Sequence, residues 1–367
     1  MTKPRLIVIG PLPPPTHGVT VSTSLVLANE ALKRSFDLTH VDTSDHRDGT
    51  NIGRWDVTNV VIGLRNIVSL LRALRGKRGT VYLPISQSAG AFLRDSLLIG
   101  VARLRGWRVA IHLRGSEILE LYESRGRLFR LWARATLRGV TAAAVMGESL
   151  RGAFGQLIPP DRVAVVPNGT PRPARRSSGR NGSTVLFLSN LRRRKGVVEA
   201  LEAARITAAE VPHARFLFVG AWEDERLEMD LRARAAALGD RVRFESPVYG
   251  PTKDELLASA SLLLFPPRKP EGHPRVVIEA IAAGLPVVTT DEGAISETIA
   301  DDVNGFVVDG SDPVAIADRL TRLLLDDELR ARMSSAALAT YETRFTQEIA
   351  DATLADWLQS VSRMGNA

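Results

Sequence analysis

The chain has 367 residues, 44% of them hydrophobic, with a net charge of +7 and no cysteine. That length suffices for two domains of ordinary size, and the missing cysteines exclude disulfides, thiolate chemistry and cysteine-ligated metal. No apolar run approaches the ~20 residues of a membrane span, and the start, Met-Thr-Lys-Pro-Arg-Leu-Ile-Val-Ile-Gly, reads as a first strand without a signal-peptide core. A cytoplasmic protein is expected.

In chain order, apolar runs and helical periodicities alternate. Leu6–Gly10, Thr80–Leu83, Trp107–His112, Thr141–Met146 and Val163–Val166 read as strands. Val19–Lys33, Ala89–Arg105 and a long stretch Ser116–Leu137 read as helices. The segment from Thr170 to Ser183 is rich in Pro, Gly, Ser and Arg and reads as a linker. A second set follows: strands Thr184–Ser189, Arg215–Val219, Arg241–Glu245, Ser261–Phe265, Val287–Thr290 and Gly305–Val308, with helices between, beginning at Gly196–Ala209. Thr346–Arg363 is an amphipathic helix. Such alternation predicts an α/β chain with two doubly wound parallel sheets.

The most telling stretch is Glu271-Gly-His-Pro-Arg-Val-Val-Ile-Glu279 and the apolar run after it. Pro274 suits the first turn of a helix, where a missing N–H costs nothing. Gly284 and Pro286 stop that helix before the strand at Val287. Glu271 therefore sits in the loop ahead of the helix and Glu279 near its second turn. Backbone N–H groups of the turn Gly272-His273-Pro274-Arg275, those of its non-proline residues, offer a phosphate the positive end of a helix, while the carboxylates can accept hydrogen bonds from sugar or ribose hydroxyls.

This string resembles the E-x7-E signature of retaining GT-B glycosyltransferases of the family 4 type (glycosyl transferases group 1), and the likeness continues through Glu292–Ile299 and Asn304–Val308. The resemblance implies the GT-B architecture: two Rossmann-like domains facing each other across a cleft. The expected bounds are 1–170 for an acceptor-side domain, 171–183 for the linker and 184–345 for a nucleotide-sugar domain, with the C-terminal helix 346–363 packing back on the first. It also implies roles. His112, at a strand end, would contact the transferred sugar. Lys195, in Asn190-Leu-Arg-Arg-Arg-Lys-Gly196, would bind the donor diphosphate; Asn190 stands where the family has an arginine, so Arg192, Arg193 or Arg194 would supply that charge. Tyr249 lies where the family meets the base. Gly18, after the stiff Pro-rich loop that begins at Gly10, would let the donor approach the backbone. Glu271 would hold sugar hydroxyls or the donor phosphate side, and Glu279 the ribose. Retention by front-face attack, with the leaving phosphate taking the acceptor proton, is likewise implied.

No Asp-x-Asp motif is present, so no required metal or other cofactor is expected beyond the nucleotide-sugar substrate. The charge is uneven: residues 1–174 hold 24 Lys and Arg against 12 Asp and Glu, a balance of +12, leaving −5 for the rest. Three arginine clusters in the first half suggest an anionic partner there, either a lipid-linked or glycan acceptor or the cytoplasmic face of an anionic membrane. No nucleic-acid-binding motif accompanies the charge. Two rival readings are a sugar-nucleotide epimerase of the same fold and a non-catalytic basic binding protein.

Overall fold

The computed structural model describes residues 3–16, 18–45, 57–175, 183–268, 271–310 and 312–365. The chain forms two compact units, one made of residues 1–167 and 348–367, the other of 168–347. Of the linker read from the sequence, residues 176–182 lie outside the described residues. Its leading edge is docked on the second unit: the Thr170 N–H donates to the Phe345 carbonyl (3.1 Å) and the Tyr341 hydroxyl to the Thr170 carbonyl (3.0 Å).

The first unit is built on strands β1 (Arg5–Gly10), β2 (Asp37–Asp42), β3 (Thr80–Ile85), β4 (Arg108–Leu113), β5 (Ala142–Val145) and β6 (Val163–Val165). They lie parallel in the order β2-β1-β3-β4-β5-β6. Helices α1 (Gly18–Ala28) and α2 (Glu30–Ser35) connect β1 to β2. The single helix expected over 19–33 is broken at Asn29, whose side-chain oxygen accepts from the Leu32 N–H (2.9 Å) and starts α2 as its cap. Helix α3 (Val57–Ala73) leads to β3 and α4 (Ala89–Leu104) to β4. The long helix expected over 116–137 is two helices, α5 (Ile118–Glu123) and α6 (Arg127–Arg138), separated at Ser124-Arg-Gly126, where Gly126 caps α6 in extended backbone.

The second unit repeats the theme with β7 (Thr184–Leu188), α7 (Val197–Glu210), β8 (Arg215–Val219), α8 (Glu225–Ala235), β9 (Val242–Glu245), α9 (Pro251–Ser259), β10 (Leu262–Phe265), α10 (Arg275–Ala282), β11 (Val287–Thr290), β12 (Gly305–Val308), α11 (Pro313–Leu325) and α12 (Asp327–Arg344). Its parallel sheet runs β12-β11-β10-β7-β8-β9. Strands covered on both faces must be apolar throughout. Thr-Val-Leu-Phe-Leu and Leu-Leu-Leu-Phe obey this, with Leu186 and Leu263 in register and fully buried. The strand order reverses between β7 and β10, the topological switch point at whose carboxyl side such sheets bind ligands.

Helix α13 (Gln347–Arg363) starts at the unit boundary and belongs to the first unit, where Leu354, Ala355, Trp357, Leu358 and Val361 fill a core with Leu6, Val8, Tyr82 and Ala110. Among the described residues no helix is long and apolar enough to cross a membrane.

Candidate active site

The loops that leave β7 and β10 flank the switch point of the second sheet. The first carries Asn190, Arg193 and Lys195; the second carries Glu271, Gly272, His273 and Pro274. Their heads meet: Lys195 Nζ donates to Glu271 Oε1 at 2.5 Å, both side chains mostly buried, with the ammonium 5.7 Å from the centre of the Phe265 ring.

Two glycines hold these loops together. Gly196 has φ +78°, and a Cβ there would lie 1.8 Å from the Pro266 carbonyl oxygen. Gly293 has φ +64°, and its Cβ would lie 1.9 Å from the Glu271 carbonyl oxygen. Both positions combine left-handed backbone with direct backbone contact, so only glycine fits. The Ala294 N–H then donates to the Gly272 carbonyl (2.9 Å), fastening the other side of the loop.

Pro274 is the cap residue of α10 rather than a member of its first turn, and the helix begins at Arg275. Its first N–H groups have no intrahelical acceptors. His273 is buried and both ring nitrogens are engaged. Nδ1 accepts from the Asn168 N–H (3.2 Å) and Nε2 lies 2.8 Å from Thr298 Oγ1, while Asn168 Nδ2 donates to the His273 carbonyl (2.7 Å). The His273 side chain thus anchors the loop from inside. Arg275 adds a bond to the Gly169 carbonyl (2.7 Å).

Glu279, in the second turn of α10, is paired with Lys253 of α9 at 2.7 Å. Sequence reasoning missed Lys253, which no motif marks. It also gave Glu292 no role, although Glu292-Gly293 stands within the stretch that carries the resemblance. Burial first, and then the negative charges of Asp291 and Glu271, raise the Glu292 carboxyl above its ordinary value.

Asn190 and Arg193 are exposed; the Asn190 carbonyl accepts from the Arg192 N–H (2.9 Å), and the Arg193 N–H donates to Glu223 Oε2 (3.0 Å). Tyr249 is 57% exposed, just ahead of the turn into α9. Among the described residues no group of three or more His, Asp or Glu side chains could hold a metal ion.

Two expected site residues belong to the first unit. Gly18 is the exposed first residue of α1, with no atom within 4 Å of where a Cβ would stand. His112 is the penultimate residue of β4, at the strand end where the sequence placed it, and its side chain is fully buried. Its Nδ1 is 3.1 Å from the Tyr82 hydroxyl, which also accepts from Arg114 Nη2 (3.0 Å). Trp357 of α13 stands edge-on at 6.1 Å. The Nε2 atom is buried, and the ring interacts with the Val166 backbone. Burial, reinforced by the Arg114 guanidinium, holds the pKa of His112 well below its ordinary value of 6.5.

Comparison with known proteins fits this arrangement. Residues 173–340 match the sequence profile of glycosyl transferases group 1. The matched stretch, just under half of the chain, is similar to that family. A phosphatidyl-myo-inositol mannosyltransferase of Mycobacterium leprae is 34% identical over 158 residues, 43% of this chain and 41% of that protein. A D-inositol 3-phosphate glycosyltransferase of Paenarthrobacter aurescens is 30% identical over 216 residues, 55% of this chain and 53% of that one. The chain thus spans about half or less of these relatives' length. The fold is shared over nearly the whole chain with HepE of Anabaena, solved in complex with UDP and glucose (TM-score 0.75, 17% identity, 97% of this chain and 100% of that one). It is shared equally with sucrose-phosphate synthase of Thermosynechococcus elongatus (TM-score 0.73, 17% identity, 97% and 99%). The architecture is GT-B.

The buried neutral imidazole sets a pH dependence. Unfolding exposes His112 to water, where it binds a proton below pH 6.5, whereas the folded ring does not. Stability from this group is therefore complete above that pH and is lost as pH falls, by up to about 1.4 kcal/mol per pH unit. Urea unfolding at neutral and at mildly acidic pH should give a steeper loss for the parent chain than for His112→Gln. Equal losses would contradict the neutral buried ring.

Proposed function

We propose that the protein is a retaining glycosyltransferase of the family 4 type, moving a sugar from a nucleotide-sugar to a glycan or lipid-linked acceptor. The observation that carries this reading is the Lys195–Glu271 contact at the switch point of the second sheet, inside the segment that matches the profile of glycosyl transferases group 1. UDP in the HepE complex and the transferase names of the relatives support a nucleotide-sugar donor.

In this reading the donor diphosphate lies against the start of α10. Lys195 spends one of its three N–H donors on Glu271, leaving two for phosphate oxygens. As the anomeric C–O bond breaks, negative charge collects on the departing diphosphate. Lys195, the exposed Arg192 and Arg193 and the N–H groups at the start of α10 stabilise it there. Glu271 keeps Lys195 in place and faces the sugar hydroxyls. Glu279 accepts from the ribose, sharing its charge with Lys253. Attack from the same face lets the leaving phosphate take the acceptor proton, so no carboxylate serves as nucleophile. These cations carry the charge that a metal would otherwise neutralise, so the reaction needs none.

A thermal-shift and calorimetric screen against UDP-, GDP-, ADP- and dTDP-sugars identifies the donor, and incubation of that donor without acceptor separates transfer from epimerisation. With the donor known, Glu279→Ala should weaken binding by roughly 1.5–3 kcal/mol, the worth of a charged hydrogen bond; unchanged affinity would remove the ribose assignment. Lys195→Ala should lower kcat more than it raises the donor Kd, because the charge it meets peaks in the transition state. Near-parental kcat would reassign that role to the neighbouring arginines. Activity should persist in EDTA, and complete loss restored by Mn²⁺ would overturn the metal-free reaction.

A further inference from the structure

We infer that helices α3, α4 and α6 form a face that docks on an anionic lipid surface by inserting leucine and tryptophan side chains. The connections β2–α3–β3, β3–α4–β4 and β4–α6–β5 all advance the same way along the first sheet, so right-handed crossovers put the three helices on one side of it. Helix α4 packs between the other two, and Trp132 of α6 donates to Ser96 of α4 at 2.6 Å.

Helix α6 has three faces. Ala133, Thr136 and Leu137 are buried, and Phe129 packs on Phe92 of α4. Arg127, Arg130, Arg134 and Arg138 line a second face. The third, at i, i+3, i+4 and i+7, is Leu128, Leu131, Trp132 and Ala135. Its leucines are 84% and 64% exposed and Trp132 is 44% exposed. Three large apolar side chains of this helix are therefore exposed rather than packed into its own core.

The neighbours continue the pattern. Leu97 and Leu104 of α4 are exposed, Leu104 to 89%, on a stripe with Leu93, Gly100 and Val101. On α3, Val61, Leu64 and Val68 are exposed beside Arg65 and Arg72. Eight large apolar side chains are thus exposed on three adjacent helices, a concentration that marks an interaction surface. The six others among the described residues are scattered.

Charge decides the partner. The three helices hold one acidic residue among them, Asp95, which is buried and paired with Arg94 at 2.7 Å. Every uncompensated charge on the face is an arginine. Apolar side chains flanked by cations, without exposed carboxylates, match the boundary between acyl chains and anionic headgroups. A folded acidic protein would satisfy the arginines but not this many protruding leucines. The inference does not depend on the sugar chemistry, since it rests on surfaces of the first unit alone.

The test is co-sedimentation of the full chain with phosphatidylcholine vesicles, with and without phosphatidylglycerol, over a salt series. The protein should pellet with the anionic vesicles, increasingly weakly as salt rises, and stay in solution with phosphatidylcholine alone. The double variant Leu128→Ser, Leu131→Ser should lose at least about tenfold in partition, the scale expected for withdrawing two buried leucines from an apolar medium. Both side chains protrude, so circular dichroism and Tm should be unchanged. Met229→Ser, an equally exposed apolar site on α8, should bind like the parent. Failure of the parent to pellet with anionic vesicles at low salt would overturn the proposal, as would undiminished binding of the double variant. Self-association in sedimentation velocity that the double variant abolishes, without vesicle binding, would overturn it in favour of an interface between copies. Binding of duplex DNA in place of vesicles would overturn it likewise.

Discussion

Two backbone-to-backbone contacts fix the second unit's site. The loop after β10 is held between Gly196, against the Pro266 carbonyl, and Gly293, against the Glu271 carbonyl. At such distances no side chain can intervene, so Pro266 and Glu271 have little freedom to shift. Its two carboxylates inherit that rigidity: Glu271 stands at the clamped end and Glu279 on the helix that the loop starts. His273, with Asn168 and Thr298, fastens the middle from inside.

Each carboxylate of the pair is matched by a lysine from a different element, Lys195 ahead of α7 and Lys253 in α9. Both pairs are mostly withdrawn from water, where neither charge would be tolerable without its partner. A site assembled in this way is charge-balanced before any ligand arrives. In the proposed reading an incoming diphosphate would meet a Lys195 already oriented by Glu271, with little reorganisation on binding. Glu292 adds a third carboxyl, beside Glu271, held above its ordinary pKa by burial and by its acidic neighbours.

Much of the architecture was legible because parallel strands buried on both faces leave continuous apolar runs. Arg215–Val219, Val287–Thr290 and Gly305–Val308 stand where the sequence placed them. The edge strand Asp37–Asp42 was missed, since its half-exposed residues break the run. Two helices read as continuous are broken, one at an asparagine cap and one at Gly126, because helical periodicity persists across a short interruption. For the site, the glutamates and Lys195 sit in a recognisable string, whereas Lys253 belongs to an ordinary polar helix and becomes informative only when α9 lies beside α10. The orientation of His112 was likewise hidden, because strand position says nothing about which side chains a distant helix will cover. Trp357, contributed from the far end of the chain, is what covers it.

That distant helix has a consequence for how the molecule comes into being. The first unit lacks part of its interior until residues 348–367 exist, whereas the second is one continuous segment. During synthesis, with domains folding as units as they emerge, the order of completion is the reverse of the order of appearance. The second sheet can close its core while the first still waits for Leu354, Trp357 and Leu358. Until then the apolar flank of β1 and β3 is open to any other chain nearby. The unit that is begun before the other is finished after it, and helix α13 is its seal.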